Sequence, residues 1–401
     1  MIISMDRLRL PDTPWFGLSG ALVLLLFLNA CTTGGEFIPA GLTEQPALES
    51  VEMRLTEIYT AQATAEAGQK SAPVTRQDAA INPLTGLVAP QPELLNRRPV
   101  IVKVQNLPRP RLQWGVAEAD LVYEYFTELG STRFAAIFYG NSPSKVAPIR
   151  SARWIDFHLV RMYNSVFVFG SAYYELLDAL FAAEFSERAL IEYPGTCPAI
   201  CRRESNGKNY LAADLTALDD FLLREGIENS RPDLSGMHFD QVIPEGGNSA
   251  QLVYAKFSAD VYSRWDYDPG SGRYLRFSDT QNARTPSGEQ YEALLDQSSG
   301  EQIAVENVVM ILAEYELLVQ TETSEVFDVA LFGSGMAYLA RDGRLYNVRW
   351  VRPDTNSPLK LVGQKGVDFP FKPGKTWFEV MGLHTDITRA GDTWRFHHRM
   401  P

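Results

Sequence analysis

The sequence predicts an α+β protein, with an N-terminal mixed α/β domain followed by a β-rich C-terminal domain. In the first half, β-branched runs such as PVIVKVQN (99–106) alternate with helical patterns, which is typical of a mixed sheet covered by helices. In the second half, aromatic-rich runs are separated by turn signals, as in VYSRWDYDPGSGRYLRFSD (261–279). Helical patterns are rare there, so we expect mainly strands.

The first thirty residues are typical of a lipoprotein signal peptide. Two arginines precede an apolar run over 17–28, which is shorter than the about 20 residues that a membrane-spanning helix needs. The sequence LNAC (28–31) follows and resembles the bacterial lipobox, whose cysteine is acylated. We expect a signal peptide over 1–30 and a lipid anchor on Cys31, which would hold the protein on the extracytoplasmic face of the cell membrane. An ordinary signal peptide with a chance cysteine is the alternative.

The rest of the chain divides into a tether and two predicted domains. Residues 31–80 are rich in small and polar side chains and are expected to be the tether. A first domain over 81–235 opens at the turn-rich INPLTGL, and a Pro/Gly/Ser-rich segment separates it from a second domain over 250–385.

The first domain is predicted to mix strands and helices. The stretches DLVYEYFTE and TRFAAIFYG form a hairpin around LGS, and Ser151 is the predicted N-cap of a helix ending near Met162. The expected strands are 99–106, 120–128, 132–140 and 165–172, and further helices are expected near 173–190 and 211–225.

Composition and cysteine usage narrow the functional classes. The formal net charge of −12 argues against nucleic acid as a partner. No GxxxxGK[ST], GxSxG or HExxH motif occurs, and the histidines are scattered, so we predict neither a metal site nor a cofactor. In an exported chain, Cys197 and Cys201 are expected to form a disulfide.

Three arginines lie in a locally basic stretch of this acidic chain. Between Arg97 and Arg161 there are ten Lys and Arg against five Asp and Glu. Arg150 and Arg153 flank the predicted helix start at Ser151, where the unpaired backbone N–H groups also favour negative charge. With Arg133, these residues predict a site for a phosphate or carboxylate.

The alternative is that the arginines are neutralised within the fold. Asp120, Glu124 and Glu128 lie on the strand pair that carries Arg133, and cross-strand ion pairs would leave no site. Asp120 and Glu124 are also candidate ligand-binding residues, and in an enzyme either of them would be the base or a metal ligand.

Several motifs indicate a known family. The run GVAEADLVYEYFTELGSTRFAAIF (115–138), followed by APIRSAR (147–153), and the later WDYDPGSGRYLRF (265–277) resemble the YerB-like bacterial lipoproteins, a two-domain family of unknown function. The resemblance covers roughly residues 82–385. It implies an envelope location and a two-domain architecture, and it implies no reaction.

These observations predict a lipid-anchored envelope protein that binds an anionic ligand through its arginines, either a phosphorylated lipid or a cell-wall glycan. One alternative is an enzyme of cell-wall polymer metabolism that acts on a pyrophosphate-linked substrate. The other is a non-catalytic envelope scaffold. The absence of a complete catalytic motif favours a protein that is not an enzyme, and the sequence identifies no protein partner.

Overall fold

The fold is known from a computed structural model in which the described residues form one compact unit. The predicted signal peptide, the tether and Cys31 lie outside the described residues. The described part is mostly β-sheet with few helices, which agrees with the broad α+β class. The structure describes residues 81–107, 111–202, 211–321 and 325–400.

Short helices and many strands make up the described residues. The α-helices are α1 (Ile155–Tyr163), α2 (Tyr174–Ala182) and α3 (Leu218–Glu225). The strands of the first half are β1 (Val100–Asn106), β2 (Leu121–Phe126), β3 (Thr132–Phe138), β4 (Val166–Val168), β5 (Ala189–Leu190), β6 (Ile200–Arg202) and β7 (Leu211–Ala213). Those of the second half are β8 (Asn248–Ser249), β9 (Leu252–Lys256), β10 (Tyr262–Asp268), β11 (Arg273–Asp279), β12 (Tyr291–Ala293), β13 (Ala304–Val305), β14 (Asn307–Ala313), β15 (Tyr315–Gln320), β16 (Glu325–Val329), β17 (Gly333–Arg341), β18 (Arg344–Arg352), β19 (Lys360–Val362), β20 (Thr376–Gly382), β21 (Asp386–Ala390) and β22 (Thr393–His397).

Helix α1 begins at Ile155, four residues after Ser151, so the prediction that Ser151 caps this helix is wrong. The backbone N–H of Ala152 donates to the carbonyl oxygen of Ser171 at 2.8 Å, which keeps this segment extended. Inside the first helical turn, Asp156 accepts the backbone N–H of the residue three positions before it, at 2.7 Å. The N-cap residue is Trp154, which makes no side-chain capping hydrogen bond, and Asp156 instead bonds to the backbone just before it.

The two later helices are also shorter than predicted. Helix α2 ends at Ala182, and a 3-10 turn and β5 occupy the rest of the predicted range. The range 211–225 opens with β7, and only its second half is helical. Gly226 ends α3 with a φ of +72°, a left-handed conformation that glycine adopts without strain.

The main sheet has eleven strands in the order β19-β18-β17-β14-β20-β2-β3-β1-β4-β5, with β8 paired to β18. Strands β2 and β20 are parallel neighbours, with Leu121 opposite Thr376 and Tyr125 opposite Val380. The two predicted domains, 81–235 and 250–385, therefore share one continuous sheet. The predicted hairpin of β2 and β3 is confirmed.

The second sheet has seven strands in the order β12-β11-β10-β9-β22-β21, with β13 paired to β11. Its β10–β11 hairpin confirms the hairpin predicted over 261–279. Side chains of β2 show how the layers stack, because successive residues of a strand point to opposite faces. The hydroxyl of Tyr123 lies 2.7 Å from that of Tyr163 on α1, whereas Glu124 bonds to Arg276 of β11. Helix α1 thus covers one face of the main sheet, and the second sheet covers the other.

Candidate functional site

Five charged side chains meet on the face of the main sheet that α1 covers, and we call them the arginine cluster. Arg133 of β3 lies directly opposite Tyr125 of β2 and therefore points to the same face. The cluster is completed by residues from β1, from the β2–β3 turn and from the start of α1. Its members are Lys103, Glu128, Arg133, Arg153 and Asp156.

Two arginines of the cluster share one carboxylate. Arg153 forms a two-pronged ion pair with Glu128, in which Nε donates to Oε2 at 2.7 Å and Nη2 donates to Oε1. Nη2 of Arg133 lies 3.5 Å from the same Oε1. Burial acts to raise the pKa of the Glu128 carboxyl, but the hydrogen bonds and charge of Arg153, with the charge of Arg133, lower it below its usual value.

Arg133 is buried, with only 7% of its surface exposed. Its Nη1 donates to the carbonyl oxygen of Thr132 at 2.8 Å and to Oγ of Ser131 at 3.3 Å, whereas its buried Nε has no acceptor among the described residues. Burial lowers the pKa of Arg133 to about 10, Glu128 opposes this change, and the charge of Arg153 adds to it. Burial, more than the neighbouring charges, therefore disfavours the charged form of this guanidinium.

Lys103 and Asp156 form a buried ion pair beneath the two arginines. Nζ of Lys103 lies 3.2 Å from Oδ1 of Asp156, both side chains are fully buried, and the same oxygen accepts the hydroxyl of Tyr125. Burial lowers the pKa of Lys103 to about 7, with Asp156 opposing and Arg153 adding to the shift. Burial also raises the pKa of Asp156. The sequence did not identify either residue, because no motif distinguishes a lone lysine within a β-strand.

Two more of the predicted ligand-binding residues, Arg150 and Ser151, lie beside the cluster. Arg150 is half-buried, and its Nη1 donates to the carbonyl oxygen of Ile149 at 2.9 Å. The hydroxyl of Ser151 lies 2.8 Å from that of Ser171 at the surface. Arg133, Arg150, Ser151 and Arg153 therefore lie in one region of the structure, and their role in binding a ligand stays a prediction.

Asp120 lies outside this region. It precedes β2 and is five residues from Tyr125, which corresponds to about 17 Å along an extended strand. Its Oδ2 accepts the backbone N–H groups of Tyr139 (2.6 Å) and Gly140 (2.9 Å), and its Oδ1 accepts the side-chain amide of Asn82 at 3.0 Å. Burial raises the pKa of Asp120 in spite of these hydrogen bonds. Its contacts are those of a structural residue that ties β2 to the end of β3.

Glu124 lies on the opposite face of the sheet, in a group that we call the buried triad: Glu124, Arg276 and Glu379. Glu124 and Glu379 are direct neighbours on β2 and β20. Arg276 donates from Nη2 to Glu124 at 2.6 Å and from Nη1 to Glu379 at 3.1 Å, and its guanidinium lies 4.4 Å from the ring centre of Trp377. All three charged side chains are almost completely inaccessible. Glu124 therefore has no contact with Arg133.

The disulfide between Cys197 and Cys201 is present, which confirms that prediction. Among the described residues, no group of three or more His, Cys, Asp and Glu side chains is arranged to hold a metal ion. No helix within the same residues has the length and apolar character to cross a membrane. An open pocket of about 300 Å³ lies beside the arginine cluster, and its walls include Leu107, Glu128, Leu129, Arg133 and Asp260.

Comparison with known families gives two matches, which together span more than half of the chain. Residues 84–218 match the N-terminal domain of a protein of unknown function, DUF3048, and residues 253–378 match the C-terminal domain of the same family. These matches confirm the resemblance that the sequence motifs indicated.

A curated relative and a solved structure agree with the family match. The chain is 26% identical over 320 residues to the "Putative lipoprotein YerB" of Bacillus subtilis. The aligned region covers 75% of this chain and 85% of the relative. The crystal structure of the YerB protein from Bacillus subtilis matches 75% of this chain and 96% of its own, with a TM-score of 0.60 and 24% identity. The structural match supports the fold.

Proposed function

Because this chain belongs to the DUF3048 family, one of whose relatives is named as a lipoprotein, we propose that it is a lipid-anchored protein of the cell envelope that binds a phosphate-bearing ligand at the arginine cluster. The anchor is Cys31, and the folded part lies on the extracytoplasmic side of the membrane. The ligand is the phosphate group of a lipid or of a cell-wall glycan.

The observation that carries the proposal is that Arg133 and Arg153 share the single carboxylate of Glu128. The arginine cluster has three basic side chains and two carboxylates. A buried cation without its own counter-ion is costly, and guanidinium groups match the oxygens of phosphate in geometry and charge. An external anion would supply the negative charge and an acceptor for Nε of Arg133.

Access to Arg133 is through the open pocket of about 300 Å³, which the carboxylates of Glu128 and Asp260 also line. Glu128 then acts as an internal competitor, because its carboxylate occupies part of the space and charge that a phosphate would take. Arg150 and Ser151 extend the site along the surface towards Ser171.

An enzyme is less well supported. That alternative used Asp120 or Glu124 as a base or metal ligand, but Asp120 is held by backbone amides and Glu124 by Arg276 on the other face of the sheet. Neither carboxylate is available next to a phosphate at Arg133.

The proposal is tested with the full-length acylated protein in a neutral detergent. Calorimetric titrations with farnesyl phosphate and with N-acetylglucosamine 1-phosphate compare the two sources of a phosphate group. We expect binding of at least one, and an affinity about tenfold lower in Arg133→Gln, because a charge-assisted hydrogen bond is lost. Arg224→Gln, at an exposed arginine of α3, is the matched control.

The comparison of the two compounds identifies the ligand class. Tighter binding of farnesyl phosphate indicates a lipid, tighter binding of the sugar phosphate indicates a glycan, and equal binding indicates recognition of the phosphate alone. If neither compound binds at millimolar concentration and Arg133→Gln only lowers the melting temperature, the cluster is structural and the scaffold alternative is correct.

A further inference from the structure

A second cleft, of about 540 Å³, lies outside the arginine cluster. Four segments form it: the end of α1, the turn after α2, the linker between the two family domains and the loop between β18 and β19. This volume is in the range of small-molecule sites, and clefts between domains are common places for them. The side chains used below are Asn164, Arg188, Asp233, Ser235, Asp354 and Asn356.

Arg188 is the basic side chain of this cleft that has no ion pair with a described residue. Its Nη1 donates to the carbonyl oxygen of Ser165 at 3.1 Å, and no carboxylate of a described residue lies within 4.0 Å of its guanidinium. Burial lowers its pKa to about 10, the charge of Arg98 adds to this shift, and Glu228 and Glu184 oppose it. An anionic group bound in the cleft would stabilise this guanidinium.

The remaining charges of the cleft limit the size of that anion. Arg161 is already paired with Glu184 through two contacts, at 2.7 and 3.0 Å. Asp354 accepts the backbone N–H of Asn356 at 2.8 Å, and hydrogen bonds keep its pKa below the usual value, so it is charged. With Asp233, the acidic side chains of the cleft outnumber the basic ones by one. Of the two arginines, only Arg188 has no carboxylate partner among the described residues, so a single carboxylate matches the available charge.

Several polar side chains of the cleft have no bonding partner within the described part of the chain. The side-chain amides of Asn164 and Asn356 and the hydroxyl of Ser235 make no hydrogen bond with a described residue. Each amide offers both donors and an acceptor, and Asp233 has one carboxylate oxygen without a donor. This combination of donors and acceptors matches the neighbouring hydroxyl groups of a sugar.

We propose that the cleft binds a saccharide with one carboxylate, whose acid group pairs with Arg188 and whose hydroxyl and amide groups bond to Asn164, Asn356 and Asp233. This site is separate from the arginine cluster and does not depend on phosphate binding there. Together, the two sites would let one envelope protein contact two different polymer chemistries.

Two sugars that differ by one acid group provide the test. N-acetylmuramic acid has the ring and acetamide of N-acetylglucosamine together with a lactyl carboxylate. Both are titrated into the full-length protein in neutral detergent and followed by calorimetry. We expect N-acetylmuramic acid to bind at least tenfold more tightly than N-acetylglucosamine, and Arg188→Gln to remove this difference.

Control variants separate this site from the other one. Arg133→Gln and Arg224→Gln are expected to bind N-acetylmuramic acid as the unaltered protein does. If Arg188→Gln does not fold, Asn356→Ala at the exposed loop replaces it, with an expected loss of about fivefold in affinity. The proposal is overturned if N-acetylmuramic acid does not bind, if both sugars bind equally, or if a folded Arg188→Gln protein binds the acid sugar normally.

Discussion

The main sheet carries an arginine–carboxylate group on each face, and the two groups differ in composition and burial. In the arginine cluster, Arg133 and Arg153 share the carboxylate of Glu128 near the surface. In the buried triad, Glu124 and Glu379 share Arg276 between the two sheets. The arginine cluster has more basic side chains than carboxylates, and the buried triad has more carboxylates than basic side chains.

The two groups differ in how their excess charge can be neutralised. In the buried triad, one bound proton neutralises the extra carboxylate. Burial, and then the charge of Glu124, raise the pKa of Glu379 to about 8, although Arg276 opposes the shift. A protonated Glu379 leaves one carboxylate for one arginine. An arginine does not lose its proton at neutral pH, so Arg133 and Arg153 keep two positive charges against the one carboxylate of Glu128. The buried triad thus stabilises the fold, and the arginine cluster is the candidate binding site.

The largest expected effect is on the buried triad. Replacing Arg276 with methionine leaves two carboxylates buried without their cation, which is expected to reduce the free energy of unfolding by about 3–5 kcal/mol. Urea unfolding measures this loss. Arg264→Met is the control, because Arg264 forms a part-exposed pair with Asp266 of its own strand and should cost no more than about 1 kcal/mol. Equal losses in the two variants would contradict the structural role of the triad.

A smaller loss of stability is expected when the arginine cluster is altered. In Glu128→Gln, Arg133 and Arg153 lose the charge of their shared carboxylate, and the free energy of unfolding should fall by about 2 kcal/mol. Added inorganic phosphate should then raise the melting temperature of the variant more than that of the unaltered protein, because a ligand stabilises the state that binds it. A melting temperature that does not respond to phosphate would oppose the binding role.

The pH dependence of the free energy of unfolding gives a further test of the buried triad. Between its ordinary value of 4.5 and about 8, Glu379 keeps a proton in the folded protein that the unfolded chain has released. The free energy of unfolding should therefore fall as pH rises through this window, by at most about 1.4 kcal/mol per pH unit from this residue. Glu379→Gln does not titrate and should lack this decline. Unfolding in urea at pH 5.5 and 7.5 compares the two proteins, and a decline in the variant as steep as that of the unaltered protein would refute the assignment.

The smallest effect is expected at Ser151. Its hydroxyl contacts Ser171 at the surface, so Ser151→Ala should change the free energy of unfolding by less than about 0.5 kcal/mol. If the hydroxyl also contacts the ligand, affinity for phosphate should fall about threefold in calorimetric titration. An unchanged affinity would remove Ser151 from the site.

Local patterns in the sequence predicted the hairpins well. The pairs β2–β3 and β10–β11 combine alternating apolar residues with turn signals, and both are formed by neighbours in the chain. The pairing of β2 with β20 joins residues about 250 positions apart, and no local pattern encodes such a contact. The two predicted domains were therefore not expected to share a sheet.

The sequence predicted part of the site, and the errors in that prediction have physical causes. Ser151 is a residue type that favours the N-cap, but the hydrogen bond from Ala152 to Ser171 depends on the loop that follows β4. Glu124 was considered as a partner of Arg133, yet Arg133 pairs with Tyr125, so Glu124 points to the opposite face. Glu128, named among the possible partners, is the carboxylate that binds the arginines.

The affinity of Glu128→Gln for inorganic phosphate tests the central claim most directly. The full-length variant and the unaltered protein are titrated by calorimetry under the same salt conditions. Removing the internal carboxylate leaves Arg133 and Arg153 for the external anion, and the account predicts an affinity about tenfold higher in the variant. An affinity that is unchanged or lower in a folded variant would contradict the claim that the cluster holds a place for an anion.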